Sequence, residues 1–559
     1  MRWAGIDRRL SWLRGRLDGW AVFTLLTALV VAGPLIGLPL SFVVAPGGLS
    51  QFSGFVPEAA VATAVLLAGV GAGVLVLGTA LAALVSFCDF PGRGFVEWAL
   101  VLPLAVPGYV FTLFALGLDV PGIRSQLGAV CVFTLVLYPY VYLLARAAFL
   151  AQSRTLLEAA RGLGLGRRAA ILRVAIPLAR PAILGGAALA LMEALADFGT
   201  VNLLGVRTFT DAIYRVWFTA LDRDAAMQLA TLLVSVTLAL LVLERLARGR
   251  ARYHQHAARG DVVPPVRLHG LAAVAAAIGP LALVGLVVLA PLVQLGIWSV
   301  ESIRDGLLAP EFAAATRNSV LLAAVSALFV PVVALLLAYG VRASRSRAAG
   351  GAARAATIGY GLPGSVVAVA VIVPLAWLDR RADAAAGTGL LLTGTVIGLL
   401  FAYLVRFLAL AWGSVEASLL RIPRRLDEAA RGLGADRLDV LARVHVPMMR
   451  AGLATAALLV FVEVMKELPA TLLLRPTGGD TLAVAVWQAT AESLFETAAL
   501  PALLIVLVGL LPVAAMIRLS GRRGAELEAA QSAGAWAEEL EVREPHDGVT
   551  PGGAPLVGT

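Results

Sequence analysis

The same seven-residue string, Glu-Ala-Ala-Arg-Gly-Leu-Gly, occurs twice in this chain of 559 residues, at 158–164 and at 428–434. The copies are 428 − 158 = 270 residues apart, and the same offset pairs Pro177 with Pro447. A register that persists well beyond the string indicates an internal duplication rather than a chance motif. We therefore expect two homologous halves, each of which carries one copy of the loop.

Long apolar runs separate the polar segments. Hydrophobic residues make up 60% of the chain and charged residues 14%, against roughly 45–50% and about 25% in soluble domains. Runs long enough for the ~20 residues of a membrane-spanning helix occur in two sets of six. They lie near 20–44, 61–87, 95–117, 127–150, 183–206 and 226–246, then near 271–298, 319–341, 355–378, 389–413, 452–474 and 498–519. The predicted fold class is an all-α integral membrane protein with about 12 transmembrane helices in two homologous six-helix halves.

The distribution of basic residues predicts the orientation. The 45 basic residues crowd into the N-terminus, both repeated loops and the central connector, which the positive-inside rule places in the cytoplasm. Because these residues flank apolar runs, we expect the bilayer rather than a nucleic acid as their neighbour. The expected organisation is a basic cytoplasmic N-terminus (1–18), a first membrane half (19–246), a cytoplasmic linker (247–270), a second membrane half (271–520) and an acidic, disordered cytoplasmic tail (521–559).

Each repeated loop reads as a short helix, a sharp turn and a second helix. A carboxylate suits the positive end of the first helix, the alanines give it a small face that could fit a groove on a partner, and the last glycine permits a turn with positive φ. A second helix is expected from Arg167 to a stop at Pro177, and its copy should stop at Pro447. The alternative is an ordinary arginine-rich loop lying on anionic lipid. The residues concerned are Glu158, Ala159, Ala160 and Gly164 in the first copy and Glu428, Ala429, Ala430 and Gly434 in the second.

The repeated loop resembles the EAA loop of bacterial permeases of ATP-binding-cassette (ABC) importers. The segments 102–108, 194–201 and 465–471 are similar to fused permeases of ferric-iron uptake. This resemblance implies the architecture of a type I importer permease in the bacterial inner membrane. It also implies that each loop docks on a cytoplasmic ABC ATPase, present in two copies, and that a periplasmic or extracellular solute-binding protein delivers the solute. The string Asn-Leu-Leu at 202–204 and the acidic tail depart from the iron permeases, so thiamine, polyamine and phosphonate remain alternative solutes.

A pair of acids follows each repeated loop inside an apolar run. Glu193 and Asp197, and in the second half Glu463 and Glu467, are spaced i, i+4 and so share one helical face. Ionisable groups at membrane depth usually line a cavity, and four carboxylates suit a hard cation that prefers oxygen ligands. The alternative is that the helices leave the membrane early and the second pair binds locally to Lys466 or Arg475.

No motif for catalysis is present in the sequence. A phosphate-binding loop needs a lysine directly after glycine, and the single lysine, Lys466, follows Met465. We therefore predict a transport subunit without catalytic residues, firmly assigned metal ligands or cofactors, and expect a separate subunit to hydrolyse ATP. An integral-membrane enzyme lacks a supporting motif. A secondary transporter, whose halves would rock on an ion gradient, remains the alternative class.

Overall fold

Nearly all of the fold is helical, as the apolar runs predict. The computed structural model describes residues 18–52, 54–152, 158–160, 162–248, 265–307, 310–344, 346–387 and 389–514. The predicted N-terminal segment before residue 18, most of the linker and the tail therefore lie outside the described residues. One unit of the chain ends at Leu510 and another begins at Leu511, and the sites discussed below lie in the first.

The first half contains nine labelled helices. Their bounds are α1 Gly19–Val44, α2 Phe55–Phe87, α3 Arg93–Ala99, α4 Gly108–Gly117, α5 Gln126–Leu150, α6 Arg167–Ala196, α7 Gly199–Leu203, α8 Phe209–Phe218 and α9 Arg223–Arg248. A 3-10 turn, Leu102–Ala105, lies between α3 and α4.

The second half repeats this order with one additional labelled helix in its loop. The bounds are α10 Gly270–Arg304, α11 Phe312–Ser344, α12 Arg347–Ala356, α13 Gly364–Ala386, α14 Val396–Leu420, α15 Arg424–Gly432, α16 Arg437–Met465, α17 Pro469–Leu474, α18 Leu482–Ala491 and α19 Phe495–Ala514. Two short parallel strands, β1 (Cys88–Asp89) and β2 (Val266–Arg267), join the end of α2 to the residues just before α10.

Ten helices within the described ranges are long and apolar enough to cross a membrane, and a bent pair brings the number to eleven. The bent pair is Arg93–Ala105 with Gly108–Gly117, whose axes differ by 87°. The predicted span at 95–117 is therefore a broken one, made of two helices with a sharp bend between them. Its second-half counterpart at 355–378 is also not a single helix, because a 3-10 turn at Thr357–Gly361 precedes α13. The breaks come at Pro-Gly steps, where proline removes a backbone donor.

The spans after the repeated loops begin earlier than predicted. α6 and α16 begin at Arg167 and Arg437 and run through Pro177 and Pro447, so the predicted helix stops at these prolines are wrong. A π-helical turn precedes each proline, at Ile171–Ala175 and Val440–His445. In a π-helical turn each N–H pairs with the carbonyl five residues back instead of four. This change of hydrogen-bond register lets the helix continue past the proline.

Helix starts confirm the duplication and locate an insertion. The starts of α14, α16 and α17 follow those of α5, α6 and α7 by 270 residues, whereas α13 follows α4 by only 364 − 108 = 256. The difference of 270 − 256 = 14 residues falls between the start of α4 or α13 and the next long helix. α13 has 23 residues and α4 has 10, so much of the insertion lengthens α13.

The first helix of each half packs against the other half. α1 contacts α11, α12 and α13, and α10 contacts α3 and α4. Trp298 of α10, for example, lies where a Cβ on Gly117 at the end of α4 would be placed. The halves therefore interlock, and the seam between them carries the buried polar groups described next.

Candidate functional site

A carboxylate caps the short helix that follows each of α6 and α16. Asp197 Oδ1 accepts a hydrogen bond from the Thr200 backbone N–H at 2.7 Å, and Asp197 Oδ2 accepts from the Thr200 hydroxyl at 2.8 Å. Glu467 Oε1 accepts from the Ala470 backbone N–H at 3.0 Å. Because 467 − 197 = 270, the duplication reproduces one capping interaction in both halves, and each cap satisfies an amide that the helix start leaves free.

Two glycines leave space for these carboxylates. Gly108 and Gly364 begin α4 and α13. A Cβ on Gly108 would lie 2.7 Å from Asp197 Oδ2, and one on Gly364 would collide with Glu467 Oε1. Each acid therefore lies at the N-terminal end of a helix, where the helix dipole favours negative charge.

All four predicted acids line a single cavity of about 100 Å³ at the seam between the halves. That volume has room for a few water molecules. Its charged lining consists of Glu193, Asp197, Glu463 and Glu467 with Arg406 and Lys466, and its aromatic lining consists of Tyr109, Phe133, Tyr140 and Phe198.

The two basic side chains pair with acids of their own half. Arg406 Nε lies 3.0 Å from Glu467 Oε2, and Lys466 Nζ lies 2.9 Å from Glu463 Oε1. Among the described residues no basic group lies within the 4.0 Å ion-pair distance of Glu193. The charge of Lys466 nevertheless acts on both Glu463 and Glu193, so the lysine links the acids of the two halves electrostatically.

The positive charges break the symmetry of the cavity. The first-half positions equivalent to Arg406 and Lys466 are 406 − 270 = 136 and 466 − 270 = 196, which hold Val136 and Ala196. Both of these residues also line the cavity. The acids are therefore duplicated across the seam, whereas each cation is present once.

Both interpretations of the acids find support in this geometry. The four acids share one cavity, and Glu463 also forms the local pair with Lys466. Arg475 binds Asp480 instead of Glu463 or Glu467. Sequence reasoning missed Arg406, although an arginine inside the apolar run 389–413 is a costly placement that could have marked it. Within the described ranges, no group of three or more His, Cys, Asp or Glu side chains is arranged to hold a metal ion.

The repeated loops follow the same backbone path. Gly164 and Gly434 have φ values of +86° and +88°, which side chains with a Cβ rarely adopt. The amide after each glycine donates to the carbonyl of Ala160 or Ala430, at 3.2 and 3.1 Å. No heavy atom lies within 4 Å of a Cβ built on either glycine. Backbone conformation, not lack of space, therefore favours glycine at these turns.

Each turn presents an exposed leucine. Leu163 is 86% exposed and Leu433 is 90% exposed, values that are unfavourable for a leucine in water. Glu158, Ala159, Glu428 and Ala429 are also exposed, whereas Ala160 is buried against the rest of the protein. The two loops thus form matching protrusions with small and apolar tips.

An ion network anchors the second loop. Asp427 in α15 receives two hydrogen bonds from Arg342, at 2.8 and 2.9 Å, and lies 2.8 Å from His445 Nε2. Arg342 also donates to the Leu419 and Ile422 carbonyls at 2.8 and 3.0 Å. The guanidinium therefore links the end of α11 to the end of α14 and to the first turn of α15.

This anchor depends on the charge of Asp427. Burial by itself would raise the pKa of Asp427, but the hydrogen bonds and charges of Arg342 and His445 hold that pKa below its usual range. A pKa that is lowered on folding means that the network stabilises the loop above the ordinary aspartate pKa of about 4. That contribution is lost only as the pH falls through the lower, folded-state value.

The fold and site define a multi-pass membrane protein with a duplicated core, two protruding loops and a polar cavity at the seam. Residues 3–248 and 330–524 match the family described as binding-protein-dependent transport system inner membrane component. The chain belongs to this family. It is a permease of the ABC importer class, and the predicted fold class and resemblance are confirmed.

Two relatives are similar over most of their length. The Fe(3+)-transport system permease protein FbpB 2 of Haemophilus influenzae is 27% identical over 81% of this chain and 88% of that protein. The probable ABC transporter permease protein y4fN of Sinorhizobium fredii is 24% identical over 90% of this chain and 95% of that protein. The molybdenum transport system permease protein ModB of Escherichia coli is 30% identical, but over 29% of this chain and 80% of that protein. The fused two-half arrangement therefore recurs in full-length relatives.

The glycine turns generate a first prediction. Replacing Gly164 and Gly434 together with valine should abolish transport by the complete system while the protein stays inserted, because a β-branched residue is strained at positive φ by about 1–2 kcal/mol or more. A cost of that size changes a conformational population by a factor of about 5–30. Solute uptake and amide hydrogen exchange in the two loops are the measurements.

The neighbouring glycines provide the control for this substitution. Gly162 and Gly432 also have open space around a built Cβ, but their φ values are not positive. Valine at these two positions should therefore affect the turns much less. Wild-type uptake in the Gly164→Val/Gly434→Val double variant would contradict the prediction.

Proposed function

We propose that this chain is the permease subunit through which ferric iron crosses the bacterial inner membrane, driven by a separate ATPase. The observation that carries the proposal is the convergence of four carboxylates, two from each half, on one cavity at the seam. The similarity to an Fe(3+)-transport permease over most of both chains supports the same solute. Thiamine, polyamine and phosphonate are the alternatives that the experiment below separates.

The charge of the cavity favours a cation. If its four carboxylates and two basic groups are all charged, they give −4 + 2 = −2. A negatively charged path raises the local concentration of positive ions and repels anions such as a phosphonate. The molybdenum permease ModB matches only 29% of this chain, so its likeness supports the shared permease scaffold and not the composition of this cavity.

The ion pairs stabilise the path while it is empty. Lys466 and Arg406 occupy carboxylate oxygens that a passing cation would need. A desolvated acid without a partner is costly, so these two bases serve as resident counterions while the path is empty. An incoming cation with oxygen-ligand preference replaces them one step at a time, and the pairs re-form behind it. This arrangement binds the solute transiently rather than storing it.

The two protruding loops couple the path to ATP hydrolysis. Their matched backbone turns and exposed tips suit two equivalent clefts, so we propose two copies of a cytoplasmic ATPase, each holding one loop. Leu163 and Leu433 would become buried on docking, which removes their unfavourable exposure. A separate binding protein on the opposite side delivers the solute. On this proposal the chain itself hydrolyses no ATP.

Orientation is the second prediction. We expect the segments 1–18, 151–182, 247–270, 421–451 and 520–559 in the cytoplasm and 45–60 and 300–316 outside, because basic residues concentrate in the former. The measurement is labelling of single cysteines by a membrane-impermeant reagent after Cys88 and Cys131 are replaced by serine. Labelling of either repeated loop from the outside would contradict the orientation, since an ATPase could not reach it.

Transport in a reconstituted system is the third prediction. Proteoliposomes that contain this chain and its ATPase should take up radiolabelled ferric iron when the binding protein and ATP are supplied. Excess thiamine, polyamine, phosphonate or molybdate should not compete. An ATPase subunit inactivated in its phosphate-binding loop is the control, because it preserves the complex without the energy source. Uptake driven by an ion gradient without ATP, or uptake of a competitor in place of iron, would contradict the proposal.

The fourth prediction concerns the acids. The paired variants Glu193→Gln/Asp197→Asn and Glu463→Gln/Glu467→Gln should slow iron uptake about tenfold or more, because they remove charge from the path. The amide side chains can still accept the capping hydrogen bonds, so the short helices should persist. Initial uptake rate is the measurement, with co-purification of the ATPase as the test of intact docking.

An acid outside the cavity is the matched control. Glu301 lies exposed on α10, and Glu301→Gln should leave the uptake rate unchanged. Unchanged uptake in all four single variants and both paired variants would mean that the acids serve local ion pairing and capping alone.

A further inference from the structure

A large apolar crevice lies away from the central cavity, between the two halves. Its volume is about 710 Å³, within the roughly 300–1,000 Å³ typical of small-molecule sites. α1 supplies one wall through Val30, Gly33 and Gly37, and α13 supplies the opposite wall. The crevice therefore lies along two helices of the bundle, in a region where Val30 and Trp377 remain exposed.

The insertion found only in the second half builds this crevice. α4, the first-half equivalent of α13, ends at Gly117, which corresponds to 117 + 256 = 373. The crevice residues Pro374, Leu375, Trp377, Leu378 and Arg380 all lie beyond that point. The duplicated permease scaffold therefore does not require the crevice, because the other half lacks the segment that forms it.

Among the described residues that line the crevice, Arg380 is the one basic side chain. The acids beside it are engaged elsewhere. Asp379 accepts hydrogen bonds from the backbone N–H groups of 391, 392 and 393 at 3.1, 2.9 and 2.7 Å, and Asp383 accepts from Gly389 N–H at 2.8 Å. Arg380 has no ion pair or hydrogen bond with any residue that the structure describes. An exposed guanidinium beside an apolar cleft is suited to a phosphate.

Trp377 lines the crevice near Arg380 and adds an amphipathic side chain there. The guanidinium of Arg381 lies 5.2 Å from the centroid of its indole ring, a cation–π distance. Tryptophan and arginine together are typical of the level where acyl chains meet head groups. The crevice thus has an apolar body and a polar, positively charged end, which matches the two chemical parts of a phospholipid.

We propose that this crevice is a phospholipid site, in which one acyl chain lies between α1 and α13 and the lipid phosphate binds Arg380. The bound lipid fills the gap that the longer α13 leaves against α1. Because α1 belongs to the first half and α13 to the second, the lipid contacts both halves.

The test uses the purified chain in nanodiscs or mild detergent, with bound phospholipid counted by native mass spectrometry. The wild-type chain should retain one phospholipid. Gly33→Phe should lower retention about tenfold, since a Cβ at Gly33 meets open space and the ring would occupy the crevice without displacing protein. Gly37→Phe is the second filling variant, and a monodisperse elution peak shows that each has folded.

The control is a glycine in the same sequence context. Gly279 on α10 also precedes a proline within a helix and has open space around its Cβ, but it does not line the crevice. Gly279→Phe should retain lipid like the wild type. Arg380→Gln should lower retention and Arg380→Lys should restore most of it, because the ammonium group can still bind phosphate.

A photoactivatable phospholipid completes the test by showing where the lipid lies. Its acyl-chain label should cross-link to peptides of α1 and α13, and the label should be lost in Gly33→Phe. Equal retention in the filled and wild-type chains, labelling confined to other helices, or a bound mass that is a peptide or a non-lipid molecule would each overturn the proposal.

Discussion

Two helices of this permease end in the protein interior, and the backbone amides that follow them have no bulk water to bind. The chain satisfies these amides with carboxylates, Asp197 in the first half and Glu467 in the second. A buried carboxylate must itself be compensated. The glycines that begin α4 and α13 bring a helix dipole to each acid, and Arg406 adds a charge to Glu467. The position and polarity of the central cavity follow from these two helix breaks.

The duplicated acids and the cations that occur only once have separate roles in the site. The duplication supplies a pair of acids from each side of the seam, which places matched carboxylates around the cavity. The cations come from single substitutions, because Val136 and Ala196 occupy the equivalent first-half positions. The loops show a similar difference in sequence. Their turns match, but Asp427, which binds Arg342 in the second loop, has a leucine at the equivalent first-half position, 427 − 270 = 157.

Sequence reasoning predicted the features that depend on local chemistry or on register. The repeat, the helical class and the positive φ of Gly164 and Gly434 could all be read from residue types and spacing. Sequence reasoning did not predict that α6 ends at Ala196 and α16 at Met465, so Asp197 and Glu467 lie beyond these helices instead of sharing a helical face with Glu193 and Glu463. It failed where a helix end or an ion pair depends on local backbone geometry or on a residue that is distant in the sequence. Pro177 does not end its helix because a π-helical turn precedes it, and Arg406 pairs with Glu467 across 61 residues (467 − 406). The capping role of Asp197 depends on a helix break that hydropathy does not reveal.

The fusion of the two halves affects which charged side chains can line the cavity. A permease assembled from two copies of one half-size chain repeats every substitution, so a lysine introduced beside the path appears twice and adds two charges. In a single polypeptide the two sides diverge independently. Lys466, which is the one lysine of the chain, can therefore form an ion pair with the single carboxylate of Glu463 without a second lysine appearing at the equivalent first-half position. Fusion thus allows the net charge of the path to change in steps of one.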